Sequence, residues 1–152
     1  MTFAIPEEMQ QSLDWLMQAS ISVLEGAQET DLAKWAKTVR DNFNGKEMQE
    51  QFSRDLFSAA EPLSEGPTVT GGEWDGYPIP YVLLAEEFVA FSRRPTVGQP
   101  EYNGVDHSLD LGEILVDSLG KLLEGHPISA AMLSLIKEII QMAKSVGKRL
   151  NS

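Results

Sequence analysis

The stretch Pro127–Leu150, PISAAMLSLIKEIIQMAKSVGKRL, holds the longest unbroken helical pattern in the chain. Ile128, Met132, Leu135, Ile136, Ile139, Ala143, Val146 and Leu150 recur at spacings of three and four, which places them on one face of a helix. Leu133 and Ile140 widen that face, and an apolar face so broad needs more than one neighbour to cover it. Lys137, Gln141, Lys144 and Lys148 fall on the remaining side, where water is expected. A helix of this kind belongs at the centre of a bundle, with the rest of the chain packed around it.

Working outward, Asp110 and Glu113 have the D-x-x-E spacing that opens a helix, and Leu111, Ile114, Leu115, Leu119, Leu122 and Leu123 supply its apolar residues. Gly112 and Gly120 lie on one side of it, where another helix can approach closely. Gly125 stops it and Pro127 starts the next helix, so the two form an αα-hairpin with a short joint.

The first half reads as three helices. Pro6 to Leu24 carries Met9, Leu13, Leu16, Met17, Ile21 and Leu24 as an inner stripe, with Trp15 beside it and Gly26 as the stop. Thr30 or Asp31 caps a second helix to Phe43, with Leu32, Trp35, Ala36, Val39 and Phe43 on its apolar side. Asn44-Gly45 turns the chain into a third helix, Lys46 to Ala60, with Met48, Phe52, Leu56 and Phe57 inward. A fourth runs from Tyr81 to Arg93, with Tyr81, Leu84, Ala85, Phe88, and Val89 or Phe91 inward.

Residues 61–80 differ. Pro62, Pro67, Pro78, Pro80, Gly66, Gly71, Gly72 and Gly76 crowd into this segment, a composition that opposes helix. Val69, Trp74, Tyr77 and Ile79 interrupt it, and a plain linker would lack such residues. The expectation is a long ordered loop between the two halves, pinned by aromatic anchors. Pro95 to Gly104 is a second breaker-rich loop. The fold expected is therefore all-α, one domain over 1–152, with five or six helices. The alternative is α+β with a small hairpin near 68–81.

Composition narrows the function. At 152 residues and 42% apolar content the chain can bury a core without staples. It has no cysteine, which excludes disulfides, thiol nucleophiles and cysteine zinc sites. MTFAIPEEMQQ has neither a basic nor an apolar leader region, so no signal peptide is expected. The uncharged run Pro127 to Ile136 is far short of the ~20 residues a bilayer span needs. The chain is read as a soluble, cytoplasmic protein.

The net charge is −11 and unevenly placed. From Lys137 onward Lys137, Lys144, Lys148 and Arg149 outnumber Glu138, so the remainder is strongly acidic. Such a body repels nucleic acid and anionic lipid and attracts basic partners. The plainer reading is that the acidity serves solubility.

Motifs for chemistry are sparse. Asp106, His107, Asp110 and Glu113 are a candidate metal set without a standard ligand spacing, and capping residues at an exposed helix start explain them as well. His126 reads as a cap between two helices. Glu86 and Glu87 are adjacent and diverge by about 100° on a helix, so they do not face one substrate together. No G-x-S-x-G or G-x-x-x-x-G-K is present. The residues therefore point away from an enzyme, and no cofactor or metal is expected.

Trp74, Tyr77 and Tyr102, rimmed by Glu73, Asp75 and Glu101, have the composition of a protein-binding face: aromatic anchors within steering charges. The plainer reading is that the aromatics pin their loops to the core. The function expected is a non-enzymatic acidic module that binds a basic protein partner, the physical profile of immunity proteins, other small toxin inhibitors and acidic secretion chaperones. Two alternatives are kept: a membrane-active protein that unpacks the 111–150 hairpin, and a metal-dependent enzyme at Asp106, His107 and Asp110.

Overall fold

A computed structural model describes residues 7–95, 99–100 and 104–150, and among these the regular secondary structure is helical. Six α-helices follow one another: α1 (Glu7–Gly26), α2 (Thr30–Phe43), α3 (Lys46–Ala60), α4 (Ile79–Ser92), α5 (Val105–Leu122) and α6 (Pro127–Leu150). The buried residues form one contiguous cluster drawn from all six.

The centre is shared by two helices. The α6 helix packs against α1, α5, α2 and α3, as its broad apolar face requires. The α1 helix packs against α6, α2, α4 and α5. Every residue of its inner stripe, from Met9 to Leu24, is buried. On α6, Met132, Leu133, Ile136, Ile139, Ile140, Ala143 and Val146 are buried, but Ile128 in the first turn is 57% exposed, while the adjacent Ser129 is buried against α3.

Several boundaries differ from the sequence reading, each for a local reason. Helix α1 runs through Gly26 and stops at Gln28, whose φ of 62° is left-handed. The Glu29 N–H bonds to the Leu24 carbonyl at 2.9 Å and the Gln28 N–H to the Glu25 carbonyl at 3.0 Å, the paired bonds that close a helix C-terminus. Residue Glu29, not Thr30 or Asp31, is the N-cap of α2, and it makes no side-chain capping bond. Helix α5 starts at Val105, a turn and a half before Asp110, because Ser108 and Leu109 are buried and the helix must reach back to bury them. Asp110 and Glu113 are thus interior to the helix and do not cap it.

The segment 61–80 holds more helix than its composition suggests. A 3-10 turn over Glu61–Glu65 continues directly from α3, and α4 begins at Ile79 with Pro80 in its first turn, where a missing N–H costs nothing. Between them the chain doubles back. An isolated antiparallel bridge joins Thr68 to Pro78, and the Val69 N–H bonds to the Tyr77 carbonyl at 2.9 Å. Gly71 and Gly72, at φ of 82° and 76°, make the reversal. No strand forms among the described residues, so the α+β alternative reduces to this single bridge.

The two hairpin glycines have different environments. A Cβ on Gly112 would lie 2.1 Å from a methyl carbon of the fully buried Leu16, so α1 and α5 touch through this gap. A Cβ on Gly120 would meet nothing within 4 Å. Gly112→Ala is therefore expected to destabilise by about 1 kcal/mol, overpacking outweighing the gain in helix propensity. Gly120→Ala is expected to stabilise by up to about 1 kcal/mol. Urea denaturation of both variants checks this, and equal gains would mean that Leu16 yields freely.

Candidate functional site

The predicted anchors of the 61–80 segment turn inward. The Trp74 ring meets Tyr77 edge-on, with centroids 5.3 Å apart, and Tyr77 lies against Tyr81 at 6.1 Å. All three pack on the core, and burial followed by the neighbouring Tyr77 pushes the Tyr81 phenol up to about 12. What faces water here is Glu73 and Asp75, and Asp75 Oδ1 accepts the Gly71 N–H at 2.7 Å, which braces the turn. Glu101 and Tyr102 lie outside the described residues.

The charged groups of α5 and α6 are largely committed to each other. Lys144 Nζ lies 2.7 Å from Asp110 and 2.8 Å from Glu113, and Lys137 Nζ lies 2.6 Å from Asp117. The Lys144 ammonium holds the Asp110 carboxyl below its ordinary range. Two of the four candidate metal ligands are therefore occupied by a lysine, while Asp106 and His107 are exposed in the first turn of α5. Among the described residues no group of three or more such ligands converges. On the polar side of α6, Lys137 and Lys144 are half-buried bridges to α5, while Gln141 and Lys148 are exposed as periodicity suggests.

A polar cluster that the sequence did not reveal sits where α3 meets the start of α6. Asp55, on the inner side of α3 and 8% exposed, accepts the Ser129 hydroxyl at 2.6 Å and the Gln51 amide at 2.9 Å. His126 Nδ1 lies 3.7 Å from Asp55 Oδ1. Ser129 donates to the carboxylate and not to the imidazole, so the three do not form a nucleophile–base relay. A carboxylate at the first turn of α6 complements the positive end of that helix instead. An aspartate among the apolar residues of α3 is the only signal in the sequence, and its partner lies 74 positions away.

A second clamp joins α1 to α2. Arg40 Nε and Nη2 donate to the two oxygens of Asp14 at 2.7 and 3.1 Å, and the Asn44 amide adds a bond at 2.8 Å. The Arg40 hydrogen bond, with the Asn44 bond and the Arg40 charge, holds the Asp14 carboxyl below its ordinary range against a smaller effect of burial.

The feature most suited to contact with another molecule is a furrow between α4 and α5. Apolar residues lie all around α4, yet this helix packs chiefly on α1 and α5. Leu83 is left 59% exposed, and Ile114 and Leu111 of α5 are 60% and 40% exposed. Two depressions line up along the junction. One, of ≈ 300 Å³, is bordered by Pro80, Leu83, Ser118 and Leu122, and the other, of ≈ 340 Å³, by Ala90, Arg94, Leu111 and Ile114. Glu87 borders both, so a carboxylate stands at the midpoint of an otherwise greasy furrow. Glu86 beside it is also exposed, and among the described residues neither glutamate makes an ion pair. Arg94 closes one end. Its guanidinium lies 3.7 Å over the Trp15 ring and donates to the Phe91 carbonyl at 2.8 Å. No protein-family model, curated protein or solved structure matches this chain.

Sequence periodicity counted Leu111 and Ile114 among the inward residues of α5 and left Leu83 unassigned. The available signal was excess: α4 carries more apolar residues than its two helix contacts can cover, and α5 carries Leu111 and Ile114 beyond the residues its neighbours bury.

Two stability measurements test these clusters. Ser129→Ala is expected to cost about 1–3 kcal/mol by leaving a buried carboxylate oxygen without its donor. The exposed Ser134→Ala on the same helix is expected to cost under about 0.5 kcal/mol. Equal effects in urea would show that Asp55 is satisfied by water. Because the folded Asp14 carboxyl is depressed, its contribution is full above the unfolded value near 3.8 and is lost as pH falls through the folded value. Asp14→Asn is therefore expected to lower stability by about 1 kcal/mol at neutral pH and to flatten the fall in stability below pH about 4. A parallel acid limb in both proteins would remove the clamp from the account.

Proposed function

We propose that this chain is a non-enzymatic, acidic protein-binding module acting as a single cytoplasmic domain, of the immunity, inhibitor or chaperone type, and that its partner is basic. The observation that supports the reading is the furrow between α4 and α5: three large exposed apolar side chains, Leu83, Leu111 and Ile114, line it with exposed Glu87, and Glu86 adds a second exposed carboxylate on α4. Apolar anchors within an acidic surround suit a partner of opposite charge. The net charge of −11 attracts such a partner over distance, and the furrow then covers part of its basic site.

The docking face is assigned to the furrow and not to the Trp74 loop, because the Trp74 and Tyr77 rings already pack against the core. Glu73 and Asp75 remain exposed and contribute to the surrounding negative field. The membrane-active alternative meets an obstacle. Leu16 of α1 fills the gap at Gly112 and α1 packs along α6, so releasing the hairpin breaks these contacts, while the Lys137 and Lys144 pairs lie within it. No helix among the described residues is long and apolar enough to cross a membrane.

Affinity capture from the native lysate at about 0.05 M and about 1 M salt, where screening lengths differ several-fold, tests the proposal. Basic proteins retained at low salt, released at high salt and lost with the Glu86→Gln, Glu87→Gln double variant are expected. Partners indifferent to salt and to both glutamates would end the electrostatic part of the reading.

A further inference from the structure

We infer that the occupant of the α4–α5 furrow is an amphipathic α-helix of a partner protein, about four turns long, with a lysine or arginine at the centre of its apolar face. This rests on the protein-binding reading above and names the element that binds.

Length comes first. Along α4 the furrow runs from Pro80 to the helix end at Ser92, about 18 Å at 1.5 Å per residue, and Arg94 just beyond that end closes it, so about four turns of a docked helix fill it. Its α4 wall is set by Pro80, Leu83, Glu87 and Ala90, at intervals of three and four. A docked helix presents its own ridges at the same interval and can lie in such a groove.

Backbone chemistry then selects helix over strand. An extended peptide needs a sheet edge to satisfy its N–H and C=O groups, and no strand exists among the described residues. Apart from Leu63 of the 3-10 turn at one end, the walls of this furrow are two helices whose backbone groups bond internally. A helix arrives with its own backbone bonds made and needs only side-chain contact.

Charge selects the sequence of that helix. Glu87 stands where the two depressions meet, so a purely apolar ligand would desolvate it without compensation. A cation at the middle of the incoming face removes that cost. The same carboxylate argues against a second copy of this chain. A twofold contact between two furrows brings Glu87 of each copy close to the axis, on bodies that each carry −11.

The test uses the full chain and a synthetic, fluorescein-labelled peptide of about four helical turns. Its leucines fall at three- and four-residue intervals, with one lysine central on that face. Fluorescence anisotropy is expected to show saturable binding, weakened at least about tenfold in the Leu83→Asp, Ile114→Asp double variant. Both side chains are more than half exposed, so the variant should melt like the parent by circular dichroism. Replacing the peptide lysine by glutamate should weaken binding about fivefold, and Glu87→Lys should recover it.

Absence of binding, equal binding of a proline-broken peptide, or indifference to Leu83 and Ile114 would overturn the inference. So would sedimentation showing a dimer that Leu83→Asp separates, because the occupant would then be a second copy. A salt-sensitive basic partner that the peptide fails to displace would leave the protein-binding reading standing and remove the helical occupant. Peptide binding without any salt-sensitive partner would do the reverse.

Discussion

The apolar faces of α1 and α6 meet along the middle of the bundle, and each is wider than a single partner helix can cover. The other four helices are arranged as covers for this pair. Helix α2 closes one side of both, α5 the other, α3 reaches α6 near its start and α4 lies on α1. Close approach at Gly112 lets Leu16 of α1 reach into α5, so both helices share the one continuous core. Burial of this kind is non-directional, so it explains compactness but not the relative placement of the helices.

Polar groups supply the placement. Arg40 and Asn44 grip Asp14 between α1 and α2, Lys144 bridges two acids of α5, and Asp55 receives Ser129 where α3 meets α6. Each joins residues far apart in the chain, and each admits a narrow range of geometry that apolar packing does not impose. The exposed pairs contribute little energy individually. Asp55 is different because it is buried, and its cost falls only when its donors are present.

The proposed docking face follows from the same arrangement by subtraction. Helix α4 is apolar on every side but is covered on two, and α5 carries Leu111 and Ile114 beyond the stripe that α1 and α6 bury. The leftover surface lies where α4 and α5 adjoin, and Glu87 rises in the middle of it. Exposed apolar surface beside an unpaired charge costs solubility and stability, and a partner that covers both at once offsets that cost.

Except for α4, which is apolar all round, the helices, their order and most of their inner residues follow from periodicity, because a three-and-four spacing of apolar side chains has one helical interpretation. The stripe of α1 was legible residue by residue, and so was most of the face of α6, with Ile128 exposed and Leu135 only half-buried. Boundaries were less so: α5 begins at Val105 to bury Leu109, a requirement set by neighbours and invisible locally. The aromatic loop residues were legible as anchors, but a loop tryptophan has the same local sequence whether it faces inward or outward. Only the packing of Trp74 on Tyr77 and Tyr77 on Tyr81 decided that. The furrow and the Asp55 cluster belong wholly to the tertiary structure. Sequence determines how much apolar surface each helix carries; which part of it stays uncovered depends on how many neighbours reach that helix, and that number is a property of the assembled bundle.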